Sequence, residues 1–304
     1  MNATAKSAAA APDVAHREAM RLFGESHHAR LEKSRRRNGY FHRYLTKIIR
    51  HHVPPGSRVL DVGCASGDML GAIDAAPGSV GIDINPASIT AAREKYPERI
   101  FKEMAAEDVG TLTHTPEGAG GFDVIILSGV LHQLYDLHTA LEALRPVCHE
   151  RTRILIVTFS RLWHPVVRAG EMARWKTRIP DESWLPPYEV AGLLKQCDFD
   201  IVSQQPAILL PLPIPLVSNL VNRWLAPLPG FRLFDLCTLT VARMLPRTNR
   251  LELPERVSVI VPARNEAGNI KPLLDRLPAL GKETEVIFVE GNSTDDTWPT
   301  IQKT

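Results

Sequence analysis

The chain has 304 residues, 44% of them apolar and 23% charged, with a formal net charge of +2. Such a composition fits about two folded domains, excludes a disordered or fibrous chain, and makes no whole-chain case for nucleic-acid binding. Its four cysteines (Cys64, Cys148, Cys197 and Cys237) form no CxxC pair, so neither a disulfide scaffold nor a cysteine-rich zinc site is expected and the expected compartment is a reducing cytoplasm.

Residues 1–13 are small and polar, lack the apolar core of a secretory signal, and read as a flexible tail. Residues 1–55 hold 11 Lys or Arg against four acids, plus six histidines. The plain reading is a solvated helical face; the functional one is contact with an anionic substrate or headgroup. From Val14 to about Arg50 the pattern predicts two helices divided near Asn38–Gly39, with Tyr40, Tyr44, Leu45, Ile48 and Ile49 on an apolar face. Strands are then expected at 58–62, 79–83, 101–104, 122–127, 153–158, 199–202 and near 239–244. Helices are expected at 69–75, 86–96, 137–144 and 187–197, the second capped by Asn85 with Pro86 in its first position. This alternation predicts an α/β fold with helices on both faces of a mostly parallel sheet.

Residues 201–222 carry no charge. Their length alone would allow a membrane span, but Gln204, Gln205 and four prolines argue against one. The expected roles of residues 201–228 are an apolar lid over a pocket or a segment touching a membrane surface. After a polar linker a new unit begins, with strands at 257–262 and 285–290 around a helix at 269–280. Two strands and one helix make too little core to stand alone. The unit either packs on the first domain or opens a longer protein.

The chemistry-bearing segment is Asp61-Val62-Gly63-Cys64-Ala65-Ser66-Gly67, between the first strand and a helix. Gly63 lets the backbone approach a ligand, and Gly67 permits close entry into the helix. Asp83 ends the next strand, where a carboxylate can accept hydrogen bonds from both hydroxyls of a ribose. Loop and carboxylate together imply an adenosine-type cofactor. The GxGxxG spacing of a dinucleotide site is absent, which disfavours a dehydrogenase. Asp61 either receives a cationic amine or organises the loop that does.

Residues 43–244 resemble class I S-adenosylmethionine-dependent methyltransferases. Val59–Gly67 looks like that family's first motif and Val80–Asp83 like its second, while Ala106–Val109 resembles the loop beside the adenine. The acid that often precedes that alanine is Ala105 here, so the adenine contact falls to Glu107, to Asp108 or to backbone. Phe122–His132 resembles the fourth motif, with Gln133 at its usual histidine. The resemblance implies a Rossmann-like seven-stranded sheet. It implies S-adenosyl-L-methionine as cofactor, S-adenosyl-L-homocysteine as product, and no metal. The implied cofactor-binding residues are Asp61, Gly63, Cys64, Ala65, Gly67, Asp83, Ile84, Glu107, Asp108 and Ser128. His132 and His164 are the candidate catalytic residues on the acceptor side, with Trp163, Trp175 and Trp184 as candidate roof. Alignment and desolvation supply much of the rate of such an in-line displacement, so no triad is required. No Asn-Pro-Pro-Tyr follows the fourth strand, which favours a small-molecule, sugar or lipid acceptor over nucleic acid.

Val257–Glu266 and Val289–Thr297 resemble the opening of family 2 (GT-A fold) glycosyltransferases, including dolichol-phosphate sugar synthases. Glu266 and Glu290 match positions facing the nucleotide of a sugar donor, with Glu290 replacing the usual aspartate. The later metal motif and catalytic base are missing, so sugar transfer by this chain alone is not expected.

The expected organisation is a basic helical extension (1–42), a methyltransferase domain (43–246), a linker (247–256) and an incomplete glycosyltransferase-like unit (257–304). The first reading of function is methyl transfer to a small or lipid- or glycan-linked acceptor. This reading expects a glycosyltransferase domain in a longer protein, with a gene broken at this point as the alternative, and allows peripheral membrane contact. Two others stand beside it: a non-catalytic cofactor-binding domain that positions a glycosyltransferase, and an RNA methyltransferase using the basic helices.

Overall fold

The computed structural model describes residues 12–172, 177, 184–228, 230–245, 256–278 and 280–304; Trp175, the tail up to Ala11 and nearly all of the linker lie outside the described residues. Two compact units are present, residues 1–246 and 247–304.

The first unit opens with α1 (Pro12–Arg37) and α2 (Gly39–His52), divided at Asn38. Pro12 and Asp13, expected in the tail, already belong to α1. In α2, Leu45 and Ile49 are buried, with Phe41, Tyr44 and Ile48 packed beside them. These positions recur at helical spacing and form one stripe. Tyr40 leaves that face and donates toward Asn219 at 3.4 Å.

The sheet strands are β1 (Val59–Val62), β2 (Val80–Asp83), β3 (Ile100–Glu103), β4 (Phe122–Ser128), β5 (Cys148–Phe159), β6 (Phe199–Ile208) and β7 (Cys237–Met244). Their order is β3-β2-β1-β4-β5-β7-β6. The first five pair in parallel; β7 runs antiparallel to both β5 and β6. The connecting helices are α3 (Asp68–Ala72), α4 (Pro86–Lys95), α5 (Leu137–Leu144), α6 (His164–Met172), α7 (Pro187–Gln196) and α8 (Val217–Leu220). The last continues as a π turn over Val221–Leu225. Asn85 caps α4 as expected, its side chain accepting from Ala87 N at 3.0 Å.

Alternate residues along each central strand face opposite ways. Leu60, Ile82, Ile125, Leu127 and Ile156 pack with α5 and α7. Val59, Ile126, Leu155, Val157 and Leu239 pack with α2, α3 and α4. Chain order reverses between β1 and β4, which opens a crevice at the carboxyl ends of the strands.

The structure departs from the expected elements where tertiary pairing extends them. β6 continues to Ile208 because β7 supplies a partner along its whole length. The first eight residues of the uncharged run (201–208) are therefore strand, and among the described residues no helix is long and apolar enough to cross a membrane. Helix α6 was not anticipated from the sequence; it follows a short 3-10 turn and buries no residue.

The second unit pairs β8 (Arg256–Ala263) in parallel with β9 (Glu283–Glu290), with α9 (Ala267–Arg276) and α10 (Thr297–Lys303). Ile260, Ile287 and Val289 are exposed, so one strand face has apolar side chains in solvent. The turns after β8 and β9 are laced together. Asn265, in a left-handed conformation, accepts from Thr294 N at 2.9 Å, and Thr297 Oγ1 accepts from Glu266 N at 2.7 Å. Glu266 and Glu290 thus stand at the same edge of the two-stranded sheet.

Candidate cofactor and acceptor site

β1 delivers its chain directly into the crevice. The loop after it needs three left-handed residues, Gly63 (φ 75), Ala65 (φ 47) and Gly67 (φ 76). A Cβ on Gly63 would stand 2.9 Å from Val130, and one on Gly67 would stand 2.6 Å from the Phe101 ring. Gly67→Ala is therefore expected to destabilise the unit by roughly 2–3 kcal/mol, summing left-handed strain and overpacking. Chemical denaturation would measure it. Adding Phe101→Leu is expected to recover the overpacking share alone, and full additivity of the two substitutions would contradict the clash.

Asp83 ties the loop to the end of β2. Its Oδ2 accepts from Ala65 N at 2.9 Å and its Oδ1 from Asn85 N at 2.8 Å. Each oxygen keeps a second lone pair for an incoming hydroxyl. Burial nevertheless raises the Asp83 carboxyl above its ordinary value, against the pull of those two N–H groups. Asp61 lies behind the loop at 2% exposure, and its Oδ2 has no hydrogen-bond partner. Burial pushes its carboxyl up to about 7, Arg35 opposes that rise, and Asp83 adds to it. A buried carboxylate without a partner is costly, and it fits an incoming ammonium. Cys64 is buried and its thiol is pushed up by burial, so it is no nucleophile.

Helix α1 runs across this edge, which no local motif in the sequence announced. Glu32 accepts from Ser66 Oγ at 2.8 Å, and Arg35 stands 3.5 Å from the Asp68 carboxylate. Arg17 bonds Asp108 at 3.2 Å, and His16 lies 2.9 Å from the Gln133 carbonyl. Between α1 and the ends of β2 and β3 is a cavity of about 380 Å³, lined by Ile84, Met104, Ala105 and Asp108 with Val14 and Arg17. Glu107 is half-buried and raised by burial, and it does not line that cavity. Asp108 does, but its carboxylate is already engaged by Arg17.

The fourth motif leads to a second locus. Ser128 ends β4, and Gly129 turns with φ 72. Four rings then follow in sequence of contact: His132 edge-on to Phe159 (5.4 Å), Phe159 beside Trp184 (5.9 Å), Trp184 against His164 (5.4 Å). The two candidate histidines are thus brought to either end of one aromatic pair. Thr158 lies beneath, buried, with no hydrogen-bond partner for its hydroxyl. The pocket bounded by Leu131, His132, Thr158, Phe159, Trp184 and Leu185 is only about 10 Å³. That holds about one water, so a larger acceptor enters only if Trp184 moves. Trp163 does not roof this pocket; its indole donates to the Phe234 carbonyl at 2.6 Å. Phe159 and Thr158 escaped sequence reading because their strand looks like any buried strand.

This sheet order, glycine loop and carboxylate pair define a class I S-adenosylmethionine-dependent methyltransferase domain, followed by a partial unit like family 2 glycosyltransferases. Residues 60–154 match the family model described as a methyltransferase domain, and residues 258–304 match that of glycosyl transferase family 2. The curated relatives include the demethylmenaquinone methyltransferase of Symbiobacterium thermophilum, 23% identical over 141 residues that make up 45% of this chain and 56% of that one. Another is the ubiquinone/menaquinone biosynthesis C-methyltransferase UbiE of Burkholderia mallei, 26% identical over 42% of this chain and 54% of that one. The chain thus spans little more than half the length of these relatives. Among solved structures, a SAM-dependent methyltransferase from Thermotoga maritima superposes with a TM-score of 0.54 at 12% identity, covering 74% of this chain and 100% of that one. The plantazolicin methyltransferase BpumL, solved with a substrate analog and SAH, does so with 0.52 at 19% identity over 77% and 96%. At such identities the likeness is one of fold.

Proposed function

We propose that the first unit binds S-adenosylmethionine and transfers its methyl group to a small, apolar or lipid-linked acceptor. The observation that carries this reading is the carboxylate pair at the switch point. Asp83 is held by two backbone N–H groups with lone pairs left for a ribose, and Asp61 is buried beside it without a partner. Gly63, Cys64, Ala65 and Gly67 shape the floor, Ile84 and the 105–108 backbone border the adenine side, and Ser128 closes the β4 end. The cofactor supplies the electrophilic methyl group. His132 and His164 stand on the acceptor side, and the Phe159–Trp184 pair keeps water out of it.

Calorimetric titration of S-adenosylhomocysteine into the chain, with NAD as control, tests the cofactor assignment. Binding of the first without the second is expected. A folded chain that binds neither, or binds NAD, sinks the reading. Binding without turnover on any acceptor would instead favour the positioning role. Once an acceptor is found, His132→Ala is expected to lower kcat by about a hundredfold. The affinity for S-adenosylhomocysteine should stay within about twofold, as befits an acceptor-side base.

Arg17, Arg21 and Arg35 of α1 are already paired with acids of this chain. At least three of the 11 Lys and Arg of residues 1–55 are thus engaged within the chain, which counts against the RNA reading. The second unit supports association with a glycosyltransferase, and so an acceptor in glycan or glycolipid synthesis.

A further inference from the structure

The segment between β6 and β7 is built inside out. Ser218 and Asn222 are buried, while Leu216, Leu220 and Trp224 are 87%, 63% and 66% exposed. Asn222 Oδ1 accepts from the backbone N–H groups of Leu209 (2.9 Å) and Leu210 (2.7 Å), and its amide donates to the Leu210 carbonyl at 2.9 Å. Ser218 Oγ accepts from Ile214 N at 3.0 Å, and Tyr40 of α2 accepts from the Asn222 amide. The polar groups hold the turn from within, and the apolar side chains project to solvent, Leu216 from the residue before α8, Leu220 from its end and Trp224 from the π turn that follows. Leu216 is also held at φ 62, a strained conformation for leucine.

Charge selects the occupant. Residues 201–234 contain two arginines and no Asp or Glu. The Arg223 guanidinium lies 5.6 Å from the Trp224 ring, a cation beside an aromatic that suits a headgroup boundary. Beyond the Trp163–Phe234 hydrogen bond, α6 and the turn before it add exposed Leu162 and Val166 with exposed Arg161 and Arg168. His164, between them, touches Trp184 at the mouth of the aromatic pocket.

We infer that this face docks on an anionic lipid bilayer, with Leu216, Leu220 and Trp224 entering the headgroup boundary and Arg161, Arg168 and Arg223 meeting lipid phosphates. The surface stands on its own exposure and charge; only its link to a lipid-linked acceptor rests on the function proposed above. The apolar projections supply area-dependent partitioning and the cations supply attraction to anionic lipid.

Co-sedimentation of the full chain with vesicles of phosphatidylcholine and phosphatidylglycerol tests this. The wild type is expected to pellet with them and to bind pure phosphatidylcholine more weakly, and Arg223→Gln to lose roughly fivefold in affinity. The Leu216→Ser/Leu220→Ser variant is expected to lose at least about tenfold while keeping the wild-type melting temperature. Leu216→Ser alone, at the most exposed position, guards against misfolding of the double variant. A wild-type chain that stays in the supernatant overturns the proposal, as does a double variant that pellets like wild type. Should gel filtration show an oligomer that the double variant dissociates, with no vesicle binding, the face belongs to a second copy and the proposal falls. Vesicle binding by a chain that fails to bind S-adenosylhomocysteine leaves the docking surface standing and sinks the cofactor reading alone; the converse result sinks only the docking surface.

Discussion

Asp61→Asn is expected to raise the stability of the cofactor-free chain at neutral pH by on the order of 4 kcal/mol, and to change it little in acid. Asp61 is buried, its carboxyl lies at about 7 instead of 3.8, and desolvation is the main cause. Between those two values the folded state holds a proton that the unfolded chain has released. Stability therefore falls as pH rises through that window. The deficit is absent below the unfolded value and complete above the folded one. His42 acts in the opposite sense: burial lowers it to about 4, so the unfolded chain binds its proton more readily up to about 6.5. The difference between variant and wild type isolates Asp61 from that opposing slope. Denaturation at a series of pH values measures it, and a gap that does not widen from pH ~4 to ~7 would falsify the account. The same substitution is expected to weaken S-adenosylhomocysteine binding. A carboxylate left without a partner at a sheet switch point makes sense as a ligand group and poorly as a structural one.

Removing the Asp83 carboxylate is expected to weaken S-adenosylhomocysteine binding on the order of a thousandfold. Two hydrogen bonds from ribose hydroxyls to a charged acceptor contribute roughly 1.5–3 kcal/mol each. Asp83→Ala also frees Ala65 N and Asn85 N, which the carboxylate now satisfies at 2.9 and 2.8 Å. The loop should then relax, and the melting temperature should fall as well. Asp83→Asn separates the two effects. Its one carbonyl oxygen still accepts, but its amide faces a backbone N–H, so intermediate affinity is expected. An alanine variant that stays folded and binds within about threefold of wild type would remove Asp83 from the cofactor site.

Much of the domain could be read from local pattern. The β1 loop with Gly63 and Gly67, the carboxylate ending β2, the Asn85 cap and the apolar β4 are each encoded within a few residues. The physical demands behind them are local too: positive φ, close backbone approach, an unsatisfied N–H at a helix start. Sequence reading also placed α5 at its observed residues; in the fold Asp136 caps it, and Ala140, Leu141 and Leu144 form its buried stripe.

Other features depend on long-range pairing and had no such signature. The extension of β6 to Ile208 required the whole of β7 as its neighbour, and it turned the first eight residues of the uncharged run into strand. The passage of α1 over the site rests on Glu32 with Ser66 and Arg17 with Asp108, contacts between residues far apart in the chain. The basic amino-terminal composition was legible, but its pairing with acids of the same unit was not. His132 and His164 could be named from their strand ends; that Phe159 and Trp184 stand between them is a matter of packing.

The sequence by itself determined the sheet, the glycine loop and the two carboxylates, because torsional and hydrogen-bonding needs over short stretches allow few solutions. Only the tertiary structure decided that Asp61 lacks a partner, that α1 crosses the crevice, and that Leu216, Leu220 and Trp224 face outward around a buried Asn222. Those outcomes depend on which surfaces exclude water from one another, and that is settled by the assembled fold.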